Sequence, residues 1–194
     1  MSEHRNGPVR SAAARESILD ATARLLTQQG YDNLTMEGIA KEAGVGKQTI
    51  YRWWRSRGAL IADCMIEGRL IPVEIDLPDT GDLRRDLSVW LETIIAIVAD
   101  PAGGALLRSL VAAAAEDGAV GDRLAAALGA DQKLSHRFAS AVEQGQLAED
   151  TPVDQLGMAI LGAIIVPVLA RRQIDPDGFR RLIDHLVRPT AAST

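Results

Sequence analysis

Apolar residues recur at three-and-four spacing in segment after segment of this chain, and the segments are punctuated by Ser, Thr, Asp, Gly and Pro at positions that start or stop helices. Residues 11–29 place Ala14, Ile18, Ala21, Leu25 and Leu26 on one face, and Gly30 closes the helix. Thr35 is an N-cap for residues 36–43, where Met36, Ile39, Ala40 and Ala43 face inward. Gly44 supplies the positive φ of a tight stop, Val45 an apolar plug and Gly46 a second start, so only three residues separate this helix from the next, 47–54. Ile50 and Trp54 share the buried face there, and Tyr31 and Leu34 complete a small core. Ser56 caps a helix reaching about Arg69, with Leu60, Ile61, Met65 and Ile66 inward.

A linker over 71–81, containing Pro72, Pro78 and Gly81, precedes the second half. Asp82 or Thr80 caps residues 83–99, whose apolar face is Leu83, Leu87, Trp90, Leu91, Ile94, Ile95 and Val98. Asp100-Pro101 ends that helix and opens another over 105–115, with Leu106, Leu107, Leu110 and Val111 inward; residues 122–144 follow, with a break expected near Gly129. Thr151-Pro152 with Asp154 opens a helix that is apolar nearly all round from Leu156 to Ala170, which predicts burial on every side. Asp175-Pro176 starts the last helix, with Phe179, Leu182, Ile183, Leu186 and Val187 inward. The fold class is all-α.

The pair 36–43 and 47–54 reads as a helix-turn-helix. At about 100° per residue, Gln48, Thr49 and Arg52 point away from Ile50 and Trp54, with Tyr51 and Trp53 on the flanks. Arginine and glutamine make bidentate contacts to guanine and adenine edges, Thr49 suits a thymine methyl, and Lys47 and the Tyr51 hydroxyl can reach phosphates. Helical hairpins also occur in proteins that touch no nucleic acid. Trp53 favours the DNA reading, because two adjacent tryptophans cannot both face one core.

Composition narrows the picture. Of 194 residues 47% are hydrophobic and only 4% aromatic, enough for a sizeable core of alanine, leucine and isoleucine. The net charge of -5 argues against a nucleic-acid partner until the chain is divided: residues 1–58 carry nine Lys or Arg against six Asp or Glu, net +3, and the remainder is net -8. The positive charge travels with the helix-turn-helix, and a dimer would double it. Arg5 and Arg10 could serve as an arm along DNA or as part of a solvated tail. One cysteine, Cys64, allows no disulfide framework and points to a reducing cytoplasm; His4, His136 and His185 have no metal-ligand spacing. The longest uncharged run, residues 155–170, is interrupted by Gly157, Gly162 and Pro167 and falls short of the about 20 residues a membrane span needs. Gly44-Val45-Gly46-Lys47 is no phosphate loop, since Lys41 and Gln48 stand where glycine and Ser or Thr are required. No nucleophile elbow, dinucleotide fingerprint or metal motif is present in the sequence, so neither an enzyme nor a cofactor is expected.

The runs Leu34-Thr35-Met36-Glu37-Gly38-Ile39-Ala40, Ala43-Gly44-Val45-Gly46-Lys47-Gln48-Thr49-Ile50-Tyr51-Arg52-Trp53-Trp54 and Arg57-Gly58-Ala59-Leu60 resemble the N-terminal domain of the TetR family of bacterial transcriptional regulators. The resemblance implies a DNA-binding domain over 11–70, joined by a shared helix to a ligand-binding and dimerisation domain over 71–190. It implies a homodimer, paired through the last two long helices, that binds a palindromic double-stranded operator and is released by a small apolar effector. The DNA-binding role passes to Thr35, Lys47, Gln48, Thr49, Tyr51, Arg52, Trp53 and Arg57. Glu37 departs from the basic or neutral residue common in the family, which puts its place in the contact set in doubt. Pocket candidates are Met65, Trp90, Ile94, Leu110 and Met158, all of which also suit plain core. Two alternatives stay open on sequence: a helical adaptor or ligand carrier without DNA binding, and a regulator controlled by a protein partner.

Overall fold

The computed structural model describes residues 7–70, 75–128 and 133–187, with side chains from residue 12. Among them are ten helices and no strand: α1 Gly7–Gln29, α2 Met36–Glu42, α3 Lys47–Trp53, α4 Arg57–Ile66, α5 Leu83–Ala99, α6 Pro101–Glu116, α7 Gly118–Ala127, α8 Lys133–Glu143, α9 Val153–Leu169 and α10 Pro176–Leu186. The expected arm residue Arg5, the side chain of Arg10 and the helix break expected near Gly129 lie outside the described residues.

Most helix starts follow the caps expected from sequence. Thr35 accepts from the Gly38 N–H, Ser56 from Ala59, Asp82 from Arg85 and Asp175 from Asp177. Asp100 caps α6 by accepting from Ala102 and Gly103. At α9 the expectation differs: Pro152 takes the N-cap position, and the Thr151 hydroxyl donates to the Ala148 carbonyl instead.

The chain forms two compact units. One holds the described residues of Met1–Val73 together with Arg108–Leu124; the other holds those of Glu74–Leu107 and Ala125–Thr194. Helix α6 therefore contributes its first part to the second of these units and its last part to the first. In the first unit Ile18, Leu19, Leu26, Leu34, Ile39, Ile50, Leu60 and Ile61 are fully buried, tying α1 to α4 around one core. The second unit packs α5 against α8 and α10, and α8 against α9, around Leu83, Leu87, Trp90 and Phe138. It also buries an ion pair, Arg137 with Asp86.

Helix α9 corrects the expectation of burial all round. Gly157, Ile160, Leu161, Ile164 and Val168 face the core, and Leu134 of α8 packs beside Gly157. Its other side leaves Met158, Val166 and Leu169 at 61%, 63% and 45% exposure. Leu182 of α10 and Ile66 of α4, both expected inward, are exposed as well.

Candidate nucleic-acid interface

The turn between α2 and α3 is built as the spacing requires. Gly44 has φ +67°, its N–H donates to Lys41, and the Val45 N–H reaches the Ala40 carbonyl. Ile50 is then fully buried and Trp54 nearly so, and the Trp54 indole donates to Asp63 at 2.9 Å under the Arg15 guanidinium. Trp53 departs from its neighbour by a ring tilt of 34° and stays 42% exposed; Tyr51 is 43% exposed. Gln48 and Arg52 are exposed between these rings and Thr49 is half-buried. The outer face of α3 is thus a polar ridge with an aromatic ring on each flank.

Both cations on this ridge are oriented. Arg52 lies 5.8 Å from the Trp53 ring centroid, and the Lys47 ammonium lies 5.7 Å from that of Tyr51. Lys47 also pairs with Glu37 across the turn. That hydrogen bond lowers the Glu37 carboxyl and raises the Lys47 ammonium relative to their usual pKa values. The doubt over Glu37 thereby gains a physical answer: it is the partner that sets the position of Lys47. Thr35 remains exposed, with its hydroxyl oxygen engaged as the α2 cap.

Arg57 is half-buried, with its donors engaged inside the protein. Its Nη1 donates to the carbonyls of Tyr31 and Leu34, both at 3.2 Å, and its Nη2 to Glu116 at 3.0 Å. The guanidinium stacks 3.9 Å from the Tyr31 ring centroid, and the Tyr31 hydroxyl donates to Glu116 at 2.6 Å. Burial, reinforced by Glu116 and opposed by Arg57, raises the Tyr31 phenol. Ser56 donates to Asp117 at 3.4 Å, and a methyl at Gly58 would collide with the Asp117 carboxylate. The loop that leads into the helix-turn-helix is therefore clamped to the end of α6. Glu116 and Asp117 escaped the sequence reading because they lie about sixty residues from Arg57 and Ser56; a glycine at the second position of α4 was the single local sign of a close approach.

The pocket candidates are divided between the two units. Leu110 is buried and Met65 half-buried in the first unit, Trp90 and Ile94 are buried in the second, and Met158 sits on the exposed strip of α9. Two apolar grooves occur in the second unit. One, of about 240 Å³, runs between α5 and α10 past Leu91, Ile95, Phe179 and Ile183; the other, of about 320 Å³, lies between α9 and α10 beside Pro167, Ile174 and Leu182. None of the five candidates lines either groove. Among the described residues, no cluster of His, Cys, Asp and Glu could hold a metal, and no single helix is long and apolar enough to cross a membrane.

Comparison with known proteins agrees with this geometry. Residues 18–64 match the domain described as "Bacterial regulatory proteins, tetR family", and residues 77–186 match "Tetracyclin repressor-like, C-terminal domain". An uncharacterised HTH-type transcriptional regulator of Mycobacterium bovis is 30% identical over 182 residues, which cover 89% of this chain and 85% of that one. The HTH-type transcriptional regulator AqdR of Rhodococcus erythropolis is 35% identical over 106 residues, 55% of this chain, and the match spans half the length of AqdR. A crystal structure of a TetR family transcription regulator, 30% identical, superimposes with a TM-score of 0.64, covering 89% of this chain and 95% of its own.

Proposed function

The chain belongs to the TetR family of bacterial transcriptional regulators and is a DNA-binding regulator; we propose that it is a homodimeric repressor of a near-palindromic operator, released by a small apolar effector. One observation carries the DNA geometry: Gln48, Thr49, Tyr51, Arg52 and Trp53 form an outward ridge on α3 while Ile50 and Trp54 anchor that helix from beneath. Such a ridge fits a major groove, with Arg52 and Gln48 reading base edges, and Lys47, Thr35 and the Tyr51 hydroxyl meeting backbone. Arg57 enters the set as the residue that fixes the ridge's support.

The exposed strip of α9 supports pairing of two copies. Met158, Val166 and Leu169 line one side of the helix, with Ala159 exposed and Gly162 half-buried between them, small residues that allow close helix approach. Release follows from linkage: an effector that prefers a different position of α6 shifts the clamp at Arg57, Tyr31 and Glu116, and about 3 kcal/mol of coupling gives on the order of 100-fold loss of operator affinity. Recovering genomic fragments bound by the purified protein tests the reading. A two-fold-symmetric motif is expected, with half-sites about one helical turn apart. Fragments without such a motif, or binding indifferent to Arg52→Ala, would count against it.

A further inference from the structure

Between Glu42 and Asp63 the chain runs for twenty residues without an acid and with four cations, Lys47, Arg52, Arg55 and Arg57. Three of them have tasks already described. Lys47 pairs with Glu37, Arg52 lies over the Trp53 ring, and Arg57 donates to the Tyr31 and Leu34 carbonyls and pairs with Glu116. Arg55, which the sequence reading left out of the contact set, is the fourth, and it is exposed. Its backbone is held on both sides. Trp54, 4% exposed, is anchored by the indole hydrogen bond to Asp63, and the Ser56 hydroxyl accepts from the Ala59 N–H as the cap of α4. Both flanking residues are extended, with φ and ψ of −131° and 130° at Trp54 and −143° and 160° at Ser56. Side chains alternate along extended backbone, so Arg55 leaves on the side opposite the buried Trp54, as the ridge of α3 does.

Length puts that side chain at the wall of the groove. Helix α3 has seven residues, about 10 Å at about 1.5 Å each, against a major groove about 12 Å wide. The N-terminal residues of a recognition helix meet base edges, and its other end leads out of the groove. Arg55 stands two positions beyond that end, at about 3.3 Å per extended residue, where the sugar-phosphate chain runs. We propose that Arg55 is the main phosphate anchor of this interface, its guanidinium gripping two oxygens of one backbone phosphate in each half-site. A guanidinium matches phosphate with two parallel hydrogen bonds, and a backbone already fixed gives up little freedom on contact. Such a contact carries no sequence information and supplies salt-sensitive affinity. The assignment rests on the placement of α3 in the groove given under the proposed function, and adds the residue that holds it there.

The test uses the full-length protein and a mixed-sequence duplex of about three helical turns, with binding read by fluorescence anisotropy across a potassium chloride series of about 50–200 mM. Arg55→Gln is expected to lower the slope of log affinity against log salt by about one unit per protomer and to weaken binding about tenfold at the lowest salt, with the thermal unfolding midpoint unchanged. Arg123→Gln removes an exposed charge from α7 of the same unit and is expected to leave the slope in place. Genomic fragments recovered with Arg55→Gln are expected to carry the same motif as those recovered with the unaltered protein. A slope that ignores Arg55→Gln, or that Arg123→Gln lowers equally, overturns the proposal. So does a changed motif, which would make Arg55 a reader of bases, and so does a lowered unfolding midpoint, which would assign Arg55 to the protein's own packing. The two claims fail apart. An unaltered protein that binds no duplex removes the placement of α3; duplex binding with the Arg55→Gln slope unmoved removes the role of Arg55 alone.

Discussion

Arg52 and Arg57 are five positions apart, and the structure gives them unlike surroundings. Arg57 supplies donors to the Tyr31 and Leu34 carbonyls, so Arg57→Ala should lower unfolding free energy by about 1–3 kcal/mol in urea titrations, with operator affinity falling as a consequence. Arg52 lies against the exposed Trp53 ring, and Arg52→Ala should leave stability within about 0.5 kcal/mol while changing base preference at one position of each half-site. The sequence placed both residues correctly on their helices. It could not reveal the difference, because the carboxylate that holds Arg57 arrives from α6, far along the chain. Asp86 adds a pH signature. Burial opposes its charge, but hydrogen bonds from Thr80 and Arg137 outweigh it and lower its pKa. A carboxyl lowered on folding stabilises the fold above its unfolded value of about 4 and loses that contribution as pH falls through the folded value. Thermal unfolding midpoints should hold from neutrality down to about pH 4 and fall below it, and Asp86→Asn, by leaving the buried Arg137 with only the exposed Asp79 as a charged partner, should cost about 1–3 kcal/mol already at pH 7.

Helices and their caps were the most legible level, because Thr35, Ser56, Asp82 and Asp175 act locally and their signals are local too. Two features of the elements were not. The junction of α5 and α6 depends on Gly103, where a side chain would run into the Ile97 carbonyl oxygen. Gly103→Ala should therefore destabilise the protein by about 1–3 kcal/mol even though alanine favours helices, a sign reversal that chemical denaturation would register. Helix α9 misled for a different reason. Apolarity on all sides predicted burial on all sides, but hydropathy alone cannot distinguish the face that packs on the core from the one left exposed. Met158→Asp, on the strip at 61% exposure, should leave the helical circular dichroism intact and shift the protein to a monomer in analytical ultracentrifugation.

For the molecule as a whole, the division of charge along the chain was visible in the sequence, whereas the way the charges pair was not. In the first unit Lys47 pairs with Glu37, Arg24 with Glu42, and Arg57 with Glu116. Each of these cations faces a carboxylate of the same protein. Binding to DNA is driven in large part by the release of small ions condensed on the phosphates, and a protein cation that keeps an internal carboxylate neutralises less of the backbone. The protein in effect brings its own counterions. Its operator affinity should decline with potassium chloride along a shallower slope than a count of nearby lysines and arginines would suggest, and Glu37→Gln should steepen that slope by up to about one unit. In a bacterium whose internal potassium swings with osmotic stress, such a muted response would keep a promoter under control while the ionic medium around it changes.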